Sequence, residues 1–339
     1  MWGVERVNFE EKIKKAHSAL KRIKKVCVLG GGESSERPIS LKTSEAVMKA
    51  LRNLGFKVEF ADFSSQNDEW KKLVRTSDVV FNCLHGGDGE NGKVQAWLEI
   101  EGIPFTASGY YASYLAMDKP LLKKYIASLK GLKVTKILPD KVFWLSGFED
   151  EESVFSEVLD IEKKWGRAVL KPADEGSSVG LFVSPLEKYQ KEIINMLREG
   201  KKLMVEPFVK GVDFTVGYVA GLLPPIRIEC GKDNVFDWDA KYVKSSTIYK
   251  VLDYKGYEEL LEDIELMIKA FKFKSAFRVD YRFNPEAGEY YLLEINTVPG
   301  MTERSLIPKA AYKLGLSFED VVGLILWEAI SFKATGQNT

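Results

Sequence analysis

The apolar residues Ile13, Ala16, Leu20 and Ile23 recur at helical spacing among charged neighbours, so residues 9–24 read as an amphipathic helix. The pattern then changes. Residues 25–30 form a short apolar run that ends in Gly30, Gly31 and Gly32, as a buried parallel strand entering a glycine turn does. Residues 40–54 read as a helix stopped by Gly55, and residues 57–61 as a second strand. A helix at 70–76 precedes a third apolar strand, 78–84, which ends at His85, Gly86 and Gly87. This βαβαβ alternation predicts a parallel sheet with ligand-facing loops at the C-terminal ends of its strands.

Helical spacing returns at residues 94–101 and again at 118–129, where Lys119 and Lys123 stand four apart. A domain boundary is expected near residue 117. Residues 133–205 mix strands, among them 168–171 and 203–205, with a helix at about 185–199. Residues 206–330 alternate strands and helices again, with a glycine turn at 287–288. The expected division is a helical extension (1–24), a Rossmann-like parallel-sheet domain (25–117), a central unit (118–210) and a C-terminal unit (211–339). Both later units are read as α+β within an α/β chain.

Composition narrows the classes. The 339 residues allow two or three domains. Lysine plus arginine and aspartate plus glutamate balance at 49 each, which lacks the basic excess of a general nucleic-acid binder. The three cysteines, Cys27, Cys83 and Cys230, form no CxxC pair, so neither disulfides nor a zinc site is expected. No apolar run is long enough for a transmembrane helix, and the N-terminus lacks the apolar core of a signal peptide. No membrane association is expected, and the cytoplasm is the default compartment.

Candidate chemistry clusters near the C-terminus. Asp280 lies in one strand-like run, and Glu294 and Asn296 in another, with the 284–288 turn between them. Two antiparallel strands would bring the three onto one face, since residues two apart in a strand point the same way. An oxygen-only donor set of this kind suits magnesium, which keeps phosphate oxygens among its ligands. A solvated hairpin face is the competing reading. Leu292, Leu293 and Ile295 oppose it, because carboxylates interleaved with apolar residues need a charge partner.

Lys171 ends another apolar strand and is followed by the small-residue loop 172–180. Backbone N–H groups of such a loop can cradle phosphate, with the lysine as a point charge. It is not a Walker A loop. The turn at Gly30–Gly32 invites a dinucleotide-binding reading, but serine stands where the last glycine of Gly-x-Gly-x-x-Gly would be. Glu36 could hold an ammonium there, or simply balance a helix dipole. The glycine-rich loop 85–92 can approach a ligand closely, and His85 either caps it or contacts substrate.

Taken together, GGGESSERPIS, LHGGDGENG, MDK (117–119), KPADEGSSVG, DAKY (239–242), FRVD and LLEINTVPGMTERSLIP resemble the D-alanine–D-alanine ligases over roughly residues 25–330. The resemblance implies an ATP-grasp fold, with 118–210 as its central subdomain and 211–339 as its catalytic part. It implies a ligase that joins two D-alanines with ATP and two magnesium ions, or manganese in their place, for peptidoglycan precursors, and a homodimer. By resemblance, Lys119 and Lys171 serve the phosphates, Lys241 phosphate or the second carboxylate, and Glu206 and Val209 the adenine. Asp213 serves the ribose, and Asp280, Glu294 and Asn296 the metal. Glu36, Ser177 and Tyr242 would close the site over the first D-alanine. Arg278 and the Gly300 N–H would stabilise the oxyanion, and Ser305 and the Leu306 N–H would take the carboxylate of the second substrate; His85 stays, from its loop, a candidate substrate contact. The chain departs from the pattern at several places. Asp213 is one methylene shorter than the usual glutamate, and Arg282 falls where an apolar residue often lies under the adenine. Asn91, Pro38 and the stretch after Tyr249 also differ.

Such an enzyme would phosphorylate a carboxylate and then admit an amine, with a lid over 229–253 excluding water. The rivals are a related ligase using D-lactate, D-serine or another amino acid, an NAD-dependent oxidoreductase, and a non-catalytic nucleotide sensor. Tyr242 favours the dipeptide, because phenylalanine there marks depsipeptide formation in the family.

Overall fold

The computed structural model describes residues 8–145, 147, 150–176, 180–229, 248–251 and 256–334. Helix α1 (Phe9–Leu20) starts where the Asn8 side chain accepts from the Glu11 N–H, with Glu10 and Glu11 in its first turn. It ends a turn earlier than its apolar spacing predicts. Strands β1 (Lys25–Gly31), β2 (Lys57–Phe63) and β3 (Val79–Asn82) form a parallel sheet in the order β2-β1-β3, as the alternation predicts. Val26, Cys27, Val28 and Leu29 are fully buried, which is why β1 reads as an unbroken apolar run. Burial pushes the Cys27 thiol up to about 12, so it serves as packing. Cys83 is likewise buried and unbonded, whereas Cys230 lies outside the described residues.

Helix α2 (Arg37–Asn53) begins three residues before the predicted start, because Pro38 fits the first turn, where an amide N–H has no helical partner. Helices α3 (Glu69–Arg75) and α4 (Lys93–Ile100) follow the expected places. Helix α5 (Tyr110–Met117) was not expected. Its sequence has no clear polar face, and its buried Ala112, Leu115 and Ala116 join the core under the large sheet. Helix α6 (Lys119–Ala127) continues from it.

The remainder holds two sheets. Strands β5 (Lys141–Phe143), β8 (Leu203–Pro207), β6 (Ala168–Pro172) and β7 (Phe182–Val183) form an antiparallel sheet. Helix α7 (Glu151–Trp165), also unexpected, and α8 (Gln190–Arg198) cover it through Val154, Phe155, Val158, Ile193 and Leu197. The six-stranded sheet runs β11 (Ile248–Val251), β10 (Ile226–Glu229), β9 (Val212–Val219), β12 (Ala276–Asn284), β13 (Glu289–Asn296) and β4 (Thr135–Lys136). Strand β12 alternates strictly. Phe277, Val279, Tyr281 and Phe283 enter the core beneath α6 and α9 (Tyr257–Phe271), so Arg278, Asp280 and Arg282 point to the other face.

Helices α10 (Leu306–Tyr312) and α11 (Phe318–Ala334) close the chain. A single core unites Ala16 and Leu20 of α1, Val26 and Val28 of β1, and Val322, Ile325 and Leu326 of α11. The N-terminal extension is thus built into the body of the protein, and Lys12 Nζ donates to the Ala220 carbonyl beyond β9. Among the described residues no helix is long and apolar enough to cross a membrane.

Candidate active site

The facing strands β12 and β13 carry the expected oxygen donors. Asp280 lies directly opposite Glu294, and Arg278 opposite Asn296. A bulge at this point gives β13 one extra residue, Leu293, beside the paired carboxylates, and such bulges re-aim side chains. Arg278 Nε donates to both Asp280 oxygens at 3.1 and 3.0 Å, and its NH2 lies 3.8 Å from Glu294. Thr215 Oγ1 donates to Asp280 at 2.7 Å. Lys119 Nζ stands 3.9 Å from Glu294 and donates to the Glu175 carbonyl. The buried Asp280 and the partly buried Glu294 therefore share two cations, as removal from water requires. The Asn296 Oδ1 accepts the Val298 N–H at 3.0 Å. Two opposed carboxylates plus an amide oxygen fit a hard cation that brings phosphate and water as its other ligands. Among the described residues no third histidine, cysteine or carboxylate joins them.

A cleft of about 900 Å³, part of it open solvent, lies between the two later sheets. Lys119, Lys171, Glu206, Val209, Asp213, Asp280, Arg282 and Glu294 line it. A smaller hollow adjoins, lined by Glu90, Met117, Asn296 and Thr297. Lys119, Glu175, Gly176 and Glu294 line both, so a lysine and a carboxylate stand at the junction.

Glu206 is enclosed by two lysines. Lys171 Nζ lies 2.6 Å from its Oε2, and Lys123 Nζ contacts its Oε1. Burial alone would raise this carboxyl, but the two ammonium groups outweigh it and bring it down to about 2. Burial lowers the Lys123 ammonium to about 8 despite Glu206. Lys123 carries a role that motif reading missed. Its signal was present: Lys119, Leu122, Lys123 and Ile126 share the buried face of α6, so Lys123 needed a buried counter-charge.

Glu36 occupies the N-cap position of α2 and is buried, close to Gly176, which lines the smaller hollow. A Cβ on Gly86 would fall 2.7 Å from its Oε2, and the φ of Gly86 is +67°, so only glycine suits that position. A Cβ on Gly176 would fall 3.1 Å from the same oxygen, which brings the loop after β6 against Glu36, the residue before α2. His85 is buried between Thr43, 3.0 Å from its Nε2, and Glu90, 3.6 Å from its Nδ1. It orients the loop, and Glu90 is a second residue the motif reading left without a part. Gly300 faces Ser305: a Cβ there would lie 3.1 Å from Ser305 Oγ, which also accepts the Thr302 N–H. Ser305 caps α10, whose first residue is Leu306. Asp213 pairs with Arg282, whose Nε donates to the Val209 carbonyl. Ser177, Lys241 and Tyr242, and most of the expected lid, lie outside the described residues.

In a dinucleotide fold the acid at the end of the second strand holds the ribose. Here Asp62 occupies that end and is gripped by Arg37 through bonds of 2.7 and 2.6 Å, while Arg37 also donates to the Gly32 carbonyl. The glycine turn is thus locked by an internal ion pair.

Family models described as D-ala D-ala ligase N-terminus and C-terminus match residues 60–108 and 144–327. A D-alanine–D-alanine ligase of Aquifex aeolicus is 40% identical over 306 residues, covering 89% of this chain and 99% of the relative. One from Fusobacterium nucleatum is 34% identical over 302 residues, covering 88% and 96%. Among solved structures, the D-alanine–D-alanine ligase from Bacillus anthracis complexed with ATP superposes with a TM-score of 0.74 at 25% identity, covering 92% of this chain and 99% of that one.

Proposed function

Since the chain belongs to the D-alanine–D-alanine ligase family and catalyses the ATP-dependent joining of two D-alanines, we propose how its residues divide that work. The observation that carries the reading is the junction of the two hollows, where Lys119 and Glu294 border both. ATP lies in the larger hollow with its γ-phosphate at the junction, and D-alanine lies in the smaller. The adenine sits against the Glu206–Val209 segment, the ribose near Asp213, and the phosphates near Lys119 and Lys171, with Lys241 completing the set. Asp280, Glu294 and Asn296 would hold magnesium, which when bound would offset phosphate charge.

Glu36 accepts the ammonium of the first D-alanine and so turns its carboxylate toward the junction, with His85 fixing the loop beside it. The carboxylate oxygen attacks the γ-phosphorus, the bond to ADP breaks, and an acyl phosphate forms. The amine of the second D-alanine, its carboxylate held by Ser305 and the Leu306 N–H, loses a proton and attacks the acyl carbon. Arg278 and the Gly300 N–H stabilise the oxyanion, and inorganic phosphate leaves as the amide forms. Ser177 and Tyr242 complete the closure with Glu36. Because ATP is consumed, we assign the reaction to the cytoplasm. We also assign the chain to a homodimer; Tyr110, Tyr111 and Tyr114 stand exposed on α5, as side chains of a contact surface would.

The test is phosphate release from ATP with D- and L-amino acids, singly and in pairs, with products identified by mass. D-alanine alone is expected to support turnover and yield the dipeptide, and added D-lactate to yield no ester. Equal turnover with L-alanine, or a predominant ester, would overturn the assignment.

A further inference from the structure

The base end of the larger cleft holds a charge pair, Asp213 and Arg282, of which the chemistry above uses only the carboxylate. Arg282 on β12 is the register partner of Asp213 on β9, and its NH1 donates to Asp213 Oδ1 at 2.8 Å. Its Nε donates to the Val209 carbonyl, and its guanidinium carbon lies 5.0 Å from the centre of the Phe208 ring. All four residues line the cleft, and Asp213 and Arg282 are each 6% exposed. Arg282 stands two residues beyond Asp280 on the same face of β12, so it lies about 7 Å along the strand from the carboxylate next to the phosphate end.

A buried ion pair contributes little net stability, because desolvation cancels most of the attraction, and an apolar pair of the same volume does as well or better. Its presence in the wall of a ligand cleft therefore points to the ligand. A guanidinium fixed by a backbone carbonyl, an aromatic ring and a carboxylate has a set geometry, and it passes that geometry to the carboxylate. An aspartate is too short to reach far into a cleft, and its usefulness as an acceptor depends on being held in place.

We propose, on the premise that this cleft holds ATP, that Arg282 is a positioning residue for the nucleotide sugar: it holds the Asp213 carboxylate as the acceptor for the ribose hydroxyls. The pair then makes the enzyme selective for ribonucleotides. A site built to receive a hydroxyl proton discriminates against the analogue that lacks it, because the carboxylate loses a donor it is placed to meet.

The experiment compares KM for ATP and for 2′-deoxy-ATP in the full-length enzyme and in Arg282→Met, Arg282→Lys and Asp213→Asn. The wild type is expected to show a KM at least about tenfold higher for the deoxynucleotide. That ratio should fall toward one in Arg282→Met and Asp213→Asn, and only partly recover in Arg282→Lys, which keeps the charge without the planar fork. KM for D-alanine should stay within about twofold throughout, and the calorimetric dissociation constant for ATP should follow its KM. Equal KM for both nucleotides in the wild type overturns the proposal. So does a wild-type ratio in Arg282→Met, even with a lowered melting temperature, since that is the result of a purely structural pair. If Arg282→Met does not fold, the near-isosteric Asp213→Asn decides in its place, and an unchanged ratio there is fatal. Absence of D-alanine-dependent phosphate release from ATP in the wild type is a separate failure, which removes the premise and the proposal together.

Discussion

Arg278→Ala is expected to lower the ligation rate by about 10²–10³-fold, the loss that follows removal of one preorganised oxyanion donor. Two consequences add here. Arg278 donates to Asp280 and approaches Glu294, so its removal takes a shared cation away from two opposed carboxylates, while Lys119 still stands 3.9 Å from Glu294. The repulsion should also weaken the hold on ATP until magnesium is raised, and KM for ATP should climb with the fall in kcat. Arg278 points to the face of β12 opposite the apolar core that Phe277 and Val279 join, so the melting transition should remain cooperative. Phosphate release and thermal melting of the same preparation check both parts. A rate near wild type would remove Arg278 from the chemistry.

Glu206→Ala should be costly in a different way. It leaves Lys123 and Lys171 facing each other without their carboxylate, at a site where Lys123 is fully buried. Breaking a buried pair from one side costs on the order of 3–5 kcal/mol, because the remaining charge is stranded. The urea midpoint at neutral pH reads this directly, and a loss below about 1 kcal/mol would contradict it. The same group predicts acid sensitivity. Its carboxyl is held down to about 2, against an unfolded value near 4.5, so its stabilisation is fully present above the unfolded value. That stabilisation, on the order of 3 kcal/mol, is lost as pH falls from the unfolded value through the folded one. In Glu206→Ala the slope of stability against pH across that window should flatten.

Much of this site was legible because it obeys short periods. The alternation Arg278, Asp280, Arg282 against Phe277, Val279, Tyr281 separates a chemical face from a core face within one strand, and the turn at Gly288 fixes which strand opposes it. The parallel sheet was legible for the same reason, since β1 and β3 are unbroken apolar runs between glycine-rich turns. Two helices escaped. In α5, aromatic and small residues leave no polar face from which to read a period. In α7, the apolar Val154, Phe155 and Val158 are outnumbered by charged residues, and the signal lay in its Asp150 cap and the acidic-to-basic order of its ends. Pairings between distant segments left no local trace. Asp213 and Arg282 are 69 positions apart and Lys123 and Glu206 are 83, so each looked like an isolated departure or an ordinary helix lysine until the sheets met. The approach of Gly176 to Glu36 belongs to the same class: it joins loops from two different sheets, and neither loop encodes it alone.

The central claim is that the γ-phosphate passes to the D-alanine carboxylate at the junction bordered by Lys119 and Glu294. It is tested most directly by running the reaction with D-alanine labelled with oxygen-18 in both carboxylate oxygens and weighing the phosphate released. Transfer through an acyl phosphate predicts one labelled oxygen in each phosphate and one retained in the new amide carbonyl. Unlabelled phosphate, with dipeptide still formed, would contradict it.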